Sequence, residues 1–191
     1  MSGVLTNTFF DMIEQQLLDL LHRVSSVLQK AEIPHRVVGG MAVYLHVSNA
    51  EEDAGRLTKD VDIAVRRSDL QRIAEAAARH GLEYRHAAGV DMLLDRSKPG
   101  LRRAVHFVFA GEKVRPEYLE PVPNLDKPPV VLQGTWLIPV EELVRMKLTS
   151  FRLKDQVHIK DLDEVHLITP DIEAALSPAL RERLAHIRAT E

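Results

Sequence analysis

The sequence has no cysteine among its 191 residues. That excludes a disulfide framework, a thiolate metal site and a cysteine nucleophile, and it suits a reducing compartment. It also lacks an apolar run long enough to cross a bilayer. The first segment, MSGVLTNTFFDMIEQQLLDLLHRV, has no basic n-region, and Asp11, Glu14, Gln15, Gln16 and Asp19 interrupt its apolar positions. It reads as an amphipathic helix and not as a signal peptide, so a cytoplasmic protein with no membrane partner is expected. Positive charge is not in excess. The formal net charge is −3, against the overall basic character that marks nucleic-acid binders electrostatically. P-loop, Rossmann, G-x-S-x-G and H-E-x-x-H patterns are missing, as are internal repeats and low-complexity segments.

What is present is clear periodicity. Apolar positions at Phe9, Phe10, Ile13, Leu17, Leu20, Leu21, Val24, Val27 and Leu28 have helical spacing. Pro34 ends that helix, which is either a dimer surface or the outer layer of the core. HRVVGG is a short strand, MAVYLHV a helix, SNAEEDAGRL a polar loop and TKDVDIAV a strand. SDLQRIAEAAARHG is a helix with Ser68 at the N-cap, Gln71 at the capping-box position and Gly81 as its C-terminal stop. LEYRHAAG, VDMLLD and RRAVHFVFAGE read as strands, the middle one weakest, with the turn-rich RSKPG between the last two. The proline-rich stretch from Arg115 reads as an extended surface connection leading to one more strand, VVLQGTWLI. The remainder is helical: PVEELVRMKLTSFRLKD with Pro139 in its first turn, QVHIKDLDEVHLI, TPDIEAAL and SPALRERLAHI. This order predicts one domain of the α+β class with an α/β core. The core of about four or five strands covers roughly residues 1–138, and a helical bundle covers roughly residues 139–191.

One stretch carries chemistry. In VVGGMAVYLHVSNAEEDAGRLTKDVDIAV, a short strand runs into Gly39-Gly40, a helix and a loop follow, and a second strand holds Asp60-Val61-Asp62. Side chains alternate along a strand, so Asp60 and Asp62 share one face while Val61, Ile63 and Val65 take the other. Two carboxylates so close repel, and a divalent cation removes the conflict. Mg²⁺ takes hard oxygen ligands, often one or two carboxylates completed by water and substrate phosphates. Glycine lets the backbone approach a ligand closely, and a helix starting after Gly40 would offer free N–H groups to an anion. Arg56 and Lys59, in the loop before the aspartates, would add positive charge.

This combination resembles the nucleotidyltransferase superfamily, the fold of polymerase-β-like enzymes. The spacing of RLTKDVD is most similar to AbiEii-type members, which include toxins of toxin–antitoxin pairs. In LVRMKLTSFRLKDQVHIKDLDEV, Lys147, Arg152 and a following Lys-Asp pair match that family's helical segment. Lys154-Asp155 and Lys160-Asp161 compete for the last role, and Lys160-Asp161 is favoured because a helix continues from it. The resemblance spans about Val37 to Leu167. It implies a small mixed sheet flanked by helices, and Mg²⁺ or Mn²⁺ held by Asp60 and Asp62. A nucleoside triphosphate such as ATP would be bound with help from Gly39, Gly40, Arg56, Lys59, Lys147 and Asp161. A nucleoside monophosphate would pass to an acceptor hydroxyl on RNA, protein or a small molecule. It also allows a homodimer or an antitoxin partner.

The pattern departs from the superfamily at one place. The third carboxylate, carried on a later strand, is replaced by His106 in RRAVHFVFAG, with Asp91 as a rival acid. Histidine is a poorer Mg²⁺ ligand than a carboxylate but can act as a base. Three readings therefore stand: an active transferase, a binding module on the same fold without catalysis, and the toxin half of a pair. His80, His86, His158 and His166 read as surface or partner-facing histidines.

Overall fold

The computed structural model describes residues 2–56, 58, 60–97 and 104–190, with side chains from residue 15 onward. Lys59, the last three residues of RSKPG and the side chains before residue 15 lie outside that description. Helix α1 (Ser2–Lys30) is followed by β1 (His35–Val38), α2 (Gly39–Ala50) and β2 (Val61–Val65). A short 3₁₀ turn (Arg67–Asp69) leads into α3 (Leu70–Ala78). Strands β3 (Leu82–Ala87), β4 (Val90–Asp95) and β5 (Ala104–Phe109) come next, then β6 (Val130–Leu132) and β7 (Thr135–Leu137). The chain finishes with α4 (Val140–Ser150), α5 (Leu153–Glu164), α6 (Pro170–Ala175) and α7 (Pro178–Ala189). No described helix is long and apolar enough to cross a membrane.

The strands form one seven-stranded mixed sheet in the order β3-β4-β5-β2-β1-β7-β6. β2 runs parallel to β5 and β1 parallel to β7, and the other neighbours are antiparallel. The α+β class holds, but the sheet exceeds the expected four or five strands. One reason is VVLQGTWLI, expected as a single strand. Gln133 (φ 49°) and Gly134 (φ 73°) are both left-handed, so this stretch folds back as a two-residue hairpin of the kind that matches strand twist. VDMLLD, expected to be the weakest strand, is held on both edges by β3 and β5.

Two other expectations are corrected. Ser68 does not cap α3: the 3₁₀ turn places Asp69 at the N-cap, without a side-chain cap bond. Asp69 instead binds Arg72 at 2.9 Å, and Gln71 donates to Glu75 rather than back to a cap. The helix expected from Pro139 to Asp155 is two helices, broken where Phe151 turns left-handed (φ 50°, ψ 25°). Arg152 and Asp155 start the second helix with a reciprocal capping box. Thr169 and Ser177 are both hydroxyl cap candidates ahead of a proline; Ile172 N–H donates to Thr169 Oγ1 at α6, whereas Ser177 makes no side-chain cap bond at α7.

The described stripe of α1, including Leu21, Val24 and Leu28, is fully buried, so this helix is a layer of the core. α1 packs on α3 and β7, while α2 packs on β1, β2, α4 and α5. The last helices thus continue the core and brace the helix that opens at the double glycine.

His35 is completely buried and stacks on Trp136 with ring centroids 5.1 Å apart. Its Nδ1 lies 2.9 Å from the Ile33 carbonyl, which can only accept, so the neutral ring donates there. Burial holds its pKa down at about 4 against an ordinary 6.5. The unfolded chain therefore takes up a proton below pH 6.5 that the folded chain refuses, and stability falls as pH drops from 6.5 toward 4. Urea unfolding at pH 7 and pH 4.5 is expected to show about 2–3 kcal/mol of this loss, and His35→Leu should flatten the pH dependence by that amount.

Candidate active site

The β1–β2 register places Val38 opposite Asp62 and Val37 opposite Ile63. Val61 and Ile63 are fully buried on one face of β2, which turns Asp62 to the other face. Asp60 is exposed just before the strand begins. Gly39 opens α2 at φ +70°, and a Cβ there would overlap the Asp62 Oδ2 oxygen. Both left-handed geometry and close approach therefore require glycine. At Gly40 a Cβ would stand 2.7 Å from Thr58 Oγ1 and 3.3 Å from His158 Cε1. Val38, the residue before α2, gives no side-chain cap, so the first-turn N–H groups of α2 are free to meet an anion.

The parallel pairing of β2 with β5 sets His106 beside Asp62. His106 Nδ1 is 3.7 Å from Asp62 Oδ1, an ion-pair distance longer than a hydrogen bond. The Asp62 carboxylate raises the His106 pKa, burial opposes it and Asp60 adds to the rise. Asp91 does not line the cleft with them, although a neighbouring cavity has Asp91 as well as Asp62 and His106 in its walls. Met92 is the residue paired with His106, so Asp91 faces the other side of the sheet. There Tyr84 donates to it at 2.5 Å, and His86 Nδ1 lies 2.8 Å away.

The facing wall is the corner between α4 and α5. Lys147 is buried and donates to Asp155 Oδ1 at 3.1 Å. The other oxygen of Asp155 accepts from Ser150 Oγ at 2.8 Å and Arg152 Nε at 2.7 Å. Burial alone would push the Asp155 carboxyl up, but the Arg152 hydrogen bond and the Lys147 charge outweigh it and hold the pKa at about 2. For Lys147 burial dominates and lowers the pKa, against the pull of Asp155 and, more weakly, Asp62. A third wall comes from the proline-rich stretch. Gly111 N–H donates to the Val122 carbonyl and Val122 N–H to the Glu112 carbonyl, both at 2.9 Å, closing a loop at its base. That loop brings Arg115, Tyr118 and Glu120 to a cleft of about 300 Å³.

Five expected site residues meet in this cleft: Gly39, Asp60, Asp62, His106 and Lys147. Gly40 sits just behind it. Arg56 and Asp161 pair with each other at 2.8 Å, away from the cleft lining, and Lys160 donates to the Thr190 carbonyl. The pair that opens α5 on the cleft is Lys154-Asp155, because α5 restarts at Arg152 and not further along. His158 is half-buried and not an open surface group: it packs against Gly40, and burial followed by the Lys147 charge lowers its pKa to about 4. Tyr118 and Glu120 had no motif to announce them. Asp155 did, as part of Lys154-Asp155, the rival to Lys160-Asp161.

Among the described residues no group of three or more His, Asp or Glu side chains is placed to hold a metal alone. The donor set nevertheless fits one Mg²⁺: two carboxylates at the mouth of a cleft beside free amides, with coordination completed by phosphate oxygens. His106 offers nitrogen where a second hard cation would want oxygen.

The sheet, its flanking helices and the glycine turn against an aspartate strand define a nucleotidyltransferase-like fold. The structure is similar to an antigenic nucleotidyltransferase-like protein from Paracoccidioides brasiliensis, with a TM-score of 0.60, 18% identity, and 93% of this chain covering 89% of that one. Weaker likenesses are to ANT(2")-Ia in complex with adenylyl-2"-tobramycin (TM-score 0.47, 12% identity, 92% of this chain and 98% of that one) and to the Megavirus polyadenylate synthase (TM-score 0.49, 9% identity, 83% and 32%). Neither a protein-family model nor a curated protein matches the sequence.

The Lys147–Asp155 pair yields a stability test. Asp155→Ala strands a buried ammonium and should cost about 3–5 kcal/mol in urea unfolding. Lys147→Met should cost less, because Arg152 and Ser150 still satisfy the carboxylate. The double variant should lose less than the sum of the two, with a coupling of at least about 1 kcal/mol.

Proposed function

We propose that the protein is a metal-dependent nucleotidyltransferase that binds a nucleoside triphosphate in this cleft and moves its nucleoside monophosphate to an acceptor hydroxyl. The observation that carries this reading is the meeting of Gly39, Asp60, Asp62 and Lys147 in one cleft. Asp60 and Asp62 hold the cation. Once bound, it neutralises phosphate charge and stabilises the departing pyrophosphate. The free amides at the start of α2 bind phosphate oxygens, and Gly39 keeps the approach to Asp62 open. Arg152 and Lys154 face the same space with positive charge. Lys147 fixes Asp155, and through it the position of Arg152. His106, made more basic by Asp62, accepts the proton of the attacking hydroxyl.

His106 also supports a second reading. A histidine stands where the superfamily carries a third carboxylate, so the same cleft would bind a nucleotide and its cation without turning it over. The AbiEii-type likeness rests on the sequence motifs alone.

Thermal unfolding with Mg²⁺ and each nucleoside triphosphate tests both. A ligand at a hundred times its dissociation constant stabilises by about 2.7 kcal/mol. A Mg²⁺-dependent rise in Tm that disappears in Asp60→Asn/Asp62→Asn is the expected result. The same rise in that variant, or none with any nucleotide, contradicts a site at these aspartates. Binding without pyrophosphate release in the presence of candidate acceptors favours the second reading.

A further inference from the structure

The cleft is lined by two unlike kinds of surface. Gly39, Asp60, Asp62 and Arg152 supply polar surface. Val108, Val114, Val122 and Met146 line the same space with apolar surface, and Tyr118 adds an aromatic ring. A nucleotide is divided in the same way, with charged phosphates at one end and a flat heteroaromatic base at the other. The apolar surface is where the base fits, and in the loop that supplies Tyr118 and Val122 to it the polar side chain lining the cleft between them is Glu120.

Glu120 is held in an unusual manner. Arg145, on α4, donates to it twice, from Nε at 3.0 Å and from a terminal nitrogen at 2.7 Å, and both bonds go to the same oxygen, Oε2. Oε1 takes no bond among the described residues. The ion pair therefore fixes the carboxylate in place, ties the loop to the helix that carries Met146 and Lys147, and leaves one acceptor free on a side chain that lines the cleft. A fixed acceptor favours a base edge that donates. An exocyclic amine donates at that point, whereas a keto oxygen in the same place sets two acceptors against each other, and only the ring N–H one atom further along a keto base's edge could donate instead.

We infer that Glu120 is the specificity-determining residue for the nucleobase, and that it selects a base whose amine stands at position 6 of a purine or position 4 of a pyrimidine. This rests on the nucleotide reading of the cleft. Arg145 also makes the choice reversible. In Glu120→Gln the amide oxygen stays on the Arg145 donors, because only it can accept. The amide NH₂ then occupies the place of Oε1 and offers a donor to a keto oxygen.

The test uses matched pairs that differ at this group: ATP against ITP, and CTP against UTP, each titrated calorimetrically with Mg²⁺ into the wild-type protein. The amino member of the better-binding pair should bind about ten-fold more tightly, the value of one hydrogen bond to a charged group. Glu120→Gln should shrink or reverse that ratio, a change that a merely structural role for Glu120 would not produce. Discrimination in either pair supports the inference and, if confined to one, also gives the ring size. Equal or tighter binding of the keto member in both pairs overturns it while leaving the nucleotide reading intact. A wild-type ratio that Glu120→Gln leaves unchanged overturns the role of Glu120. Silence from all four nucleotides overturns this inference, and silence from GTP as well overturns the nucleotide reading with it.

Discussion

The contact on which the site depends is the close approach of Gly39 to Asp62. It follows from strand register. Val61 and Ile63 are buried on one side of β2, so Asp62 must emerge on the other, and the pairing with β1 brings Val38 opposite it. A slip of one residue would bury the carboxylate and expose the core residues, so hydrophobic alternation fixes the chemistry indirectly. The next residue after Val38 must then turn sharply at the carboxylate without a side chain of its own. Gly39 does this, and α2 begins there with its amides beside Asp62.

The second wall has a different physical basis. Asp155 is fully buried and takes bonds from Lys147, Ser150 and Arg152. Burying such charges costs as much as it returns, so the network is better understood as a device for geometry than for stability. It holds a corner that includes a left-handed Phe151, a conformation that a bulky residue adopts only under constraint. Arg183 from α7 supports that corner by donating to the Leu148 and Thr149 carbonyls, with its guanidinium 4.7 Å from the Phe151 ring centre. The final helix contributes no side chain to the cleft, yet it braces the segment that does.

Local pattern made much of this legible. The strand alternation around Asp60 and Asp62, the double glycine and the amphipathic helices are all short-range signals, and they named Gly39, Asp60 and Asp62, while His106 and Lys147 came from the resemblance to nucleotidyltransferases. What escaped was decided by distance or by competition. Gln133-Gly134 is not one of the usual hairpin pairs, so the hairpin passed as one strand. Ser68 carried the cap signature, but the chain coils one turn earlier than the capping rule assumes. Lys160-Asp161 was preferred to Lys154-Asp155 because helical periodicity continues past it. The break at Phe151 depends on tertiary support from α7, which periodicity does not register. The loop from Glu112 to Val122 is closed by two backbone bonds that no residue type announces, so Tyr118 and Glu120 were read as part of a surface connection.

The central claim is that a cation bound with a nucleotide sits between Asp60 and Asp62, beside His106. Paramagnetic broadening by Mn²⁺ tests it most directly. The imidazole resonances of the nine histidines would be followed while Mn²⁺ is added at low concentration, with and without ATP. The account expects the His106 signal to broaden first and more strongly with ATP, while those of His35, buried at the far end of β1, and of His22 on α1 stay sharp. Broadening that ignores ATP, or that centres on another histidine, would contradict it.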